Sequence, residues 1–290
     1  MDETRQTLAQ LKEQPHYSYT ALNTYINTCQ LLYYYRYVER LEPEQTPVAL
    51  PFGSALHAAL SEQAHAAKKG SLIPADELTE TFATYFMAEV NGSPNVVFKG
   101  DEGMDALTSL AGRMLTAAVA EWPDFHQTIA DVAMPFSFTV EGLSKPVIGE
   151  YDLVLREPTP FDEPDDASMA TIVDWKSSSR LWPDDRADRE LQATIYIAAY
   201  KACHGIRPDF RFDVITKAKT PKVGHFFTTR SDERIRRMES LLVAADRAIN
   251  AGVFLPNETS FACRDCPYAN ACKSWHCAST AKTAKAAEAA

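Results

Sequence analysis

The chain has 290 residues, 46% hydrophobic and 23% charged, with a formal net charge of −10, which is the composition of a globular domain and excludes fibrous and disordered classes. No apolar run approaches the roughly 20 residues of a membrane helix, and Met1-Asp2-Glu3-Thr4-Arg5 has neither the basic nor the apolar region of a signal peptide, so the expected setting is cytoplasmic with no membrane partner. Six cysteines in that setting point toward metal or redox chemistry and away from a disulfide framework.

Residues 1–16 are polar and are expected to be a flexible N-terminus, frayed or weakly helical. From Ser18 to Tyr37 apolar residues recur at helical spacing behind Ser18 or Thr20 as cap, which predicts one or two helices. Pro43, Pro47 and Pro51 interrupt. A helix is predicted from about Phe52 to Lys69, capped by Ser54 and stopped by Gly70. Two more follow over 75–90 and 102–122, separated by the loop Asn91-Gly92-Ser93-Pro94. This acidic stretch carries no evident chemistry and reads as packing or as one wall of a cleft. Phe136-Ser-Phe138-Thr-Val140 alternates, Glu141-Gly142 turns, and 147–155 forms the next strand. An acidic, proline-bearing loop, 157–168, leads to a strand over 171–179. A helix is predicted from about Ala187 to Cys203, then two strands, 210–216 and 223–229, joined as a hairpin through Thr220-Pro221-Lys222. Ser231 caps a long helix ending before Gly252, with Ile235, Met238, Leu241, Leu242, Ala245 and Ile249 as its core stripe. The Ala/Lys tail, 279–290, has nothing to bury and is expected to be disordered.

The acidity is unevenly spread. Residues 1–150 hold 9 Lys+Arg against 19 Asp+Glu, whereas 151–290 hold 20 of each. Within 201–237 ten bases face four acids, a local excess that can attract a phosphate backbone because salt screens charge beyond about 10 Å. A solvated basic face without a partner gives the same pattern.

Two constellations carry chemistry. In the strand Thr171-Ile-Val-Asp174-Trp-Lys176-Ser-Ser-Ser179, Asp174 and Lys176 project to one face with Ile172, while Val173 and Trp175 take the other. A carboxylate beside an ammonium at a strand end can hold a divalent cation and position a water; an ordinary surface ion pair has the same spacing. No other lysine has an acid two residues before it. The second constellation is Cys263-x2-Cys266-x5-Cys272, three thiols that need a fourth for a tetrathiolate site, with Cys29 more than two hundred residues earlier as the candidate. Four thiolates hold zinc or an iron–sulfur cluster, and the absence of a second C-x2-C pair leans toward iron–sulfur. Three reduced structural thiols remain the alternative, and Cys277 stands near enough to substitute.

Taken together these residues resemble the PD-(D/E)XK nuclease superfamily, and within it the RecB-like exonuclease branch with a C-terminal cysteine cluster, which includes AddB-type and CRISPR-associated exonucleases. Ser18-x-Thr20-x-Leu22-Asn23-Thr24-x4-Cys29 is similar to that branch's first-cysteine helix, Gly53-x3-His57 to its histidine motif and Gly149-x2-Asp152 to its first acid motif. Asp174-Trp175-Lys176 resembles the signature dyad and Gln192-x3-Tyr196 the motif after it. Gln30 stands where the branch usually has proline, and Asp174 where glutamate is commoner. The resemblance implies an α/β, restriction-endonuclease-like core, a mixed central sheet flanked by helices, with an N-terminal helical region and a C-terminal cysteine cluster. It implies a single nuclease domain, 17–278, with a mainly helical part at 17–130, a catalytic core at 131–252 and a cysteine segment at 253–278 packing with Cys29. Asp152, Asp174, His57 and the backbone carbonyl of Trp175 would hold Mg2+ or Mn2+, Lys176 would serve the attacking water, and Gln192 and Tyr196 would position DNA. Cys29, Cys263, Cys266 and Cys272 would hold a [4Fe-4S] cluster or structural zinc. The implied activity is a metal-dependent DNA exonuclease acting on single-stranded ends in recombination, repair or CRISPR spacer acquisition, with a helicase or integrase as partner protein. A non-catalytic module holding DNA ends on the same fold and a zinc-stabilised interaction protein are the alternatives.

Overall fold

The structure, a computed structural model, describes residues 6–100, 102–120, 122, 129–156 and 170–275. The loop expected at 157–168 and the tail at 279–290 lie outside the described residues.

Within the N-terminal stretch expected to be flexible, Leu8–Lys12 form a short helix, α1. Thr7 and Gln10 cap each other reciprocally, which satisfies two amides that a polar segment otherwise leaves to water. Strand β1 (Tyr17–Ser18) passes into α2 (Tyr19–Asn23), whose first turn is closed by Ser18 Oγ accepting from the Ala21 amide. The chain then makes a π-helical turn, Thr24–Thr28, and breaks at Cys29, where the backbone is extended (φ −164°, ψ 125°). It resumes as α3 (Gln30–Tyr33) and a second π-helical turn, Tyr34–Val38. One helical pattern in the sequence thus becomes two segments that meet at a cysteine.

Short strands β2 (Thr46–Pro47) and β3 (Val96–Val97) pair in parallel. Between them lie α4 (Ala49–Lys68) and α5 (Ala75–Gly92). Helix α4 starts earlier than Ser54 predicts, because Pro51 fits the first turn, where a missing N–H is no loss. Helix α5 continues through Asn91-Gly92, which were expected to be loop, and ends at Ser93. Helix α6 (Met104–Ala120) completes this helical layer.

Strands β4 (Ile129–Phe138) and β5 (Val147–Arg156) form an antiparallel hairpin, so strand structure begins within the part expected to be mainly helical. Strand β6 (Ala170–Ser178) is antiparallel to β5, β7 (Asp209–Thr216) parallel to β6, and β8 (Val223–Thr228) antiparallel to β7. The parallel step needs a crossover, supplied by α7 (Arg186–Arg189) and α8 (Leu191–His204). A single helix was expected there. Glu190 instead turns extended, and the buried Arg230 guanidinium donates to the carbonyls of Ala187 and Glu190, clamping the break. Helix α9 (Asp232–Asn250) starts at Ser231, which caps the Arg234 amide. Its stripe is narrower than the sequence predicts: Leu241 is 42% exposed, whereas Ile235, Met238, Leu242, Ala245 and Ile249 are buried.

Two apolar clusters sandwich the sheet. Ile172, Phe210, Phe212 and Val214 pack with α8 and α9 residues such as Ile195, Met238 and Leu242. Val173, Trp175 and Ile215 pack with Phe52, Leu56, Leu60, Phe82 and Leu115 of the α4–α6 layer. Neighbours Ile172 and Val173 fall in opposite clusters, the period of two expected of a strand covered on both faces.

Candidate active site

Strand β5 has an interrupted edge. β4 occupies one side along most of its length. The other side is shared: β1 pairs with Val147 and Ile148, and β6 pairs with Leu153 to Arg156. Gly149-Glu150-Tyr151-Asp152 therefore face a gap between β1 and β6. The β5–β6 register ends with Leu153 opposite Val173, so the next residues in line are Asp152 and Asp174, on strands that have begun to part. The β4 ladder also lapses here, between Leu153 opposite Val132 and Tyr151 opposite Met134. The residue skipped on β4 is Ala133, held at φ +49°, a conformation uncommon outside glycine. Gly149 closes the other end of the gap under the Phe136 ring, where an added Cβ would sit 2.5 Å from a ring carbon.

Helices from both layers reach into the gap. From α4, His57 Nδ1 lies 3.2 Å from Asp152 Oδ2, and its ring meets the Trp175 indole edge to face at 6.2 Å. The Trp175 amide, freed from the ladder, donates to the same Asp152 oxygen at 2.8 Å. From α8, Gln192 Nε2 donates to Asp174 Oδ1 at 2.5 Å. Lys176 Nζ lies 2.5 Å from Asp174 Oδ2, yet that buried oxygen accepts no hydrogen bond of proper geometry. Tyr196, one turn beyond Gln192, is buried against Tyr151 and Phe136. Asp152, Asp174, Lys176, His57, Gln192 and Tyr196 are thus brought together; for Trp175 the contact made is through its N–H.

The electrostatics separate the two acids. Burial pushes both carboxyls up. At Asp152 the His57 imidazole, the Lys176 ammonium and the Trp175 amide outweigh burial and hold the carboxyl below its ordinary range. At Asp174 burial wins, with Asp152 adding to it against Lys176, and the group is pushed up to about 6. Burial would lower His57, but the Asp152 carboxylate raises it above its ordinary value. Burial and the charges of Asp174 and Asp152 push the Tyr196 phenol well up.

Two residues join the site that the sequence reading passed over. Glu150 is raised by burial and by Asp152; its position two before Asp152 was a usable signal. Tyr19 is raised by burial, Glu190 and Asp174, and its ring meets Tyr196 at 6.5 Å. It gets there because β1 ends beside the gap, a placement that no local pattern announces.

Two carboxylates and one imidazole are the donor types of a hard divalent cation, although Asp152, Asp174 and His57 do not stand at coordinating spacing and Lys176 Nζ lies against the second Asp174 oxygen. Four of the cysteines gather in a second place. Cys29, Cys263, Cys266 and Cys272 line one cavity of about 30 Å3 with Leu31, Tyr35 and Tyr268. Burial, then neighbouring thiols, push Cys272 up. The junction is sewn by Asn257 Nδ2 donating to the Thr28 carbonyl, Asn257 N–H to Cys29 Sγ, and Leu31 N–H to the Leu255 carbonyl. Among the described residues no set of three or more His, Cys, Asp or Glu side chains stands at metal-coordinating spacing; the four thiols supply the donor chemistry of a tetrathiolate site without its compact geometry.

No curated protein matches the chain. A solved structure of a candidate exonuclease from Eubacterium rectale is similar over 89% of this chain and 91% of its own, at 13% identity and a TM-score of 0.57, a likeness of fold. SSO0001 aligns over 86% of this chain and 92% of its own at 11% identity, but its TM-score of 0.35 carries no argument. The family model of the PD-(D/E)XK nuclease superfamily matches residues 16–273, which span the gap, both helices that reach into it and the four gathered cysteines, and the chain belongs to that superfamily.

Proposed function

We propose that this chain is a metal-dependent DNA exonuclease that hydrolyses phosphodiester bonds at single-stranded ends, in recombination, repair or CRISPR spacer acquisition. The observation that carries the reading is the gap itself: Asp152 and Asp174 stand just past the last β5–β6 pair, where the two strands part, with a base and an imidazole turned onto them. Asp152, Asp174 and His57, with the Trp175 backbone carbonyl, would hold Mg2+ or Mn2+. Bound there, such an ion supplies Lewis acidity at the scissile phosphate.

The remaining work falls to the chain's own side chains. Gln192 fixes the Asp174 carboxylate by one oxygen and leaves the other beside the Lys176 ammonium. Lys176 orients the attacking water and offsets charge that develops on the phosphate. Its proximity to Asp174 keeps the ammonium on that face before substrate arrives. Gly53, one turn before His57 on α4, has open space before its Cα, so a backbone phosphate can approach there. Tyr196 and Gln192 form the wall that positions the strand. We assign Cys29, Cys263, Cys266 and Cys272 to a [4Fe-4S] cluster that ties the broken N-terminal helix to the C-terminal segment.

Strands labelled at the 5′ or 3′ end, incubated with and without Mn2+, test the activity. Progressive shortening of single strands that stops in EDTA is expected. Binding of ends without shortening would favour a non-catalytic end-holding module. Anaerobically purified protein is expected to be brown, whereas a colourless preparation with stoichiometric zinc would overturn the cluster assignment.

A further inference from the structure

Outside the catalytic gap a cleft of about 790 Å3 runs along α9, reached by the end of α7 and the first turn of α8. Arg189, Arg234 and Arg237 line it against one acid, Glu233. Arg189 pairs with Asp185, and Arg234 donates to the Asp188 carbonyl. The Arg237 side chain makes no hydrogen bond or ion pair among the described residues. Leu191, Met238 and Leu241 are the cleft's apolar lining, beside the polar Asn27, Thr194, Ser231 and Ser240. Leu241 is spaced as a core residue, yet it lies open in this cleft.

A cationic rim around a partly apolar lining suits a ligand that is anionic along one side and flat and apolar along the other. Single-stranded nucleic acid has that character, with phosphates for the arginines and exposed base faces for apolar contact with the leucines. A duplex hides its base faces and could use the rim alone. The cleft and the gap lie on either side of the first turn of α8. Leu191 and Thr194 line the cleft, and between them in the same turn Gln192 reaches Asp174, so the cleft begins within one helical pitch, about 5 Å, of a residue on the catalytic acid.

We propose that this cleft is the track by which a single strand reaches the catalytic gap, its phosphates on Arg189, Arg234 and Arg237 and its bases on Leu191 and Leu241. The inference rests on the nuclease reading and adds the surface that would select single strands. Fluorescent oligothymidylates of increasing length, titrated with the full chain in EDTA to prevent cutting, test it. Wild-type affinity is expected to climb with length and to fall with salt. The variant R237A/L241S should flatten that climb, bind the longer strands about tenfold more weakly and lose roughly one from the salt slope. Both residues are exposed, and the single variant R237E, checked by thermal melting, provides the same comparison should the double variant unfold. Equal affinities of variant and wild type at every length would overturn the proposal, as would an equal loss on duplex DNA. Binding is read apart from cleavage, so a wild type that fails to shorten strands in a separate Mn2+ incubation would sink the nuclease reading, whereas a flattened climb in R237A/L241S would still leave the track standing.

Discussion

Asp174 and Asp246 are equally buried, each 3% exposed, and the fold treats them in opposite ways. Asp246 on α9 accepts from the Tyr17 hydroxyl at 2.6 Å, the Ser144 hydroxyl and amide, and Asn250. Burial pushes its carboxyl up, but these bonds outweigh it and hold the group below its ordinary range. It pins β1 and the turn after β4 to the last long helix. Asp174 has one firm hydrogen bond, from Gln192, and the Lys176 ammonium close to its other oxygen without a hydrogen bond of proper geometry; its carboxyl is pushed up to about 6. A buried carboxylate that is fully hydrogen-bonded holds a structure together; one left incomplete is held ready for something the chain does not itself supply.

Substitutions can break this contrast. Asp246→Ala strands the Tyr17 hydroxyl and the Ser144 amide, and we expect it to cost about 3 kcal/mol of stability in chemical denaturation. Gly149→Ala drives a methyl into the Phe136 ring at the end of the gap, at a cost of about 2 kcal/mol, read in the same way. The pH dependence separates the two acids by sign. Asp246 is depressed in the fold, so its contribution is present above the unfolded value near 4 and is lost as pH falls through its folded value; Asp246→Asn should flatten that acid limb. Asp174 is raised, so in EDTA its ionisation erodes stability as pH climbs from about 4 toward about 6. The smallest stability effect is therefore expected from Asp174→Asn, a change within about 1 kcal/mol or a slight gain at neutral pH, and a large loss there would place Asp174 with Asp246 as a structural acid.

The sequence made one side of the contrast visible. Alternation alone puts Asp174, Lys176 and Ile172 on one face and Val173 and Trp175 on the other, because a strand's period of two is a local property. Ser18 and Ser231 were readable as caps for the same reason. Tyr19 was not, since its place follows from β1 pairing with a strand that begins 128 residues later. The break at Glu190 was hidden because its cause, Arg230, comes from beyond the next two strands. Leu241 has core spacing, and only the open cleft beside it shows why it stays exposed. The two segments meeting at Cys29 read as one helical pattern because the partner that holds the break open, Asn257, lies near the other end of the chain.

The central claim is that the gap between β1 and β6 is a catalytic centre completed by a divalent cation. The most direct measurement compares shortening of an end-labelled single strand by wild type and by Lys176→Ala, each with Mn2+ and with EDTA, alongside melting curves. The account predicts Mn2+-dependent shortening by wild type, a loss of at least roughly 100-fold in Lys176→Ala and matching melting temperatures. Undiminished shortening by folded Lys176→Ala would contradict it.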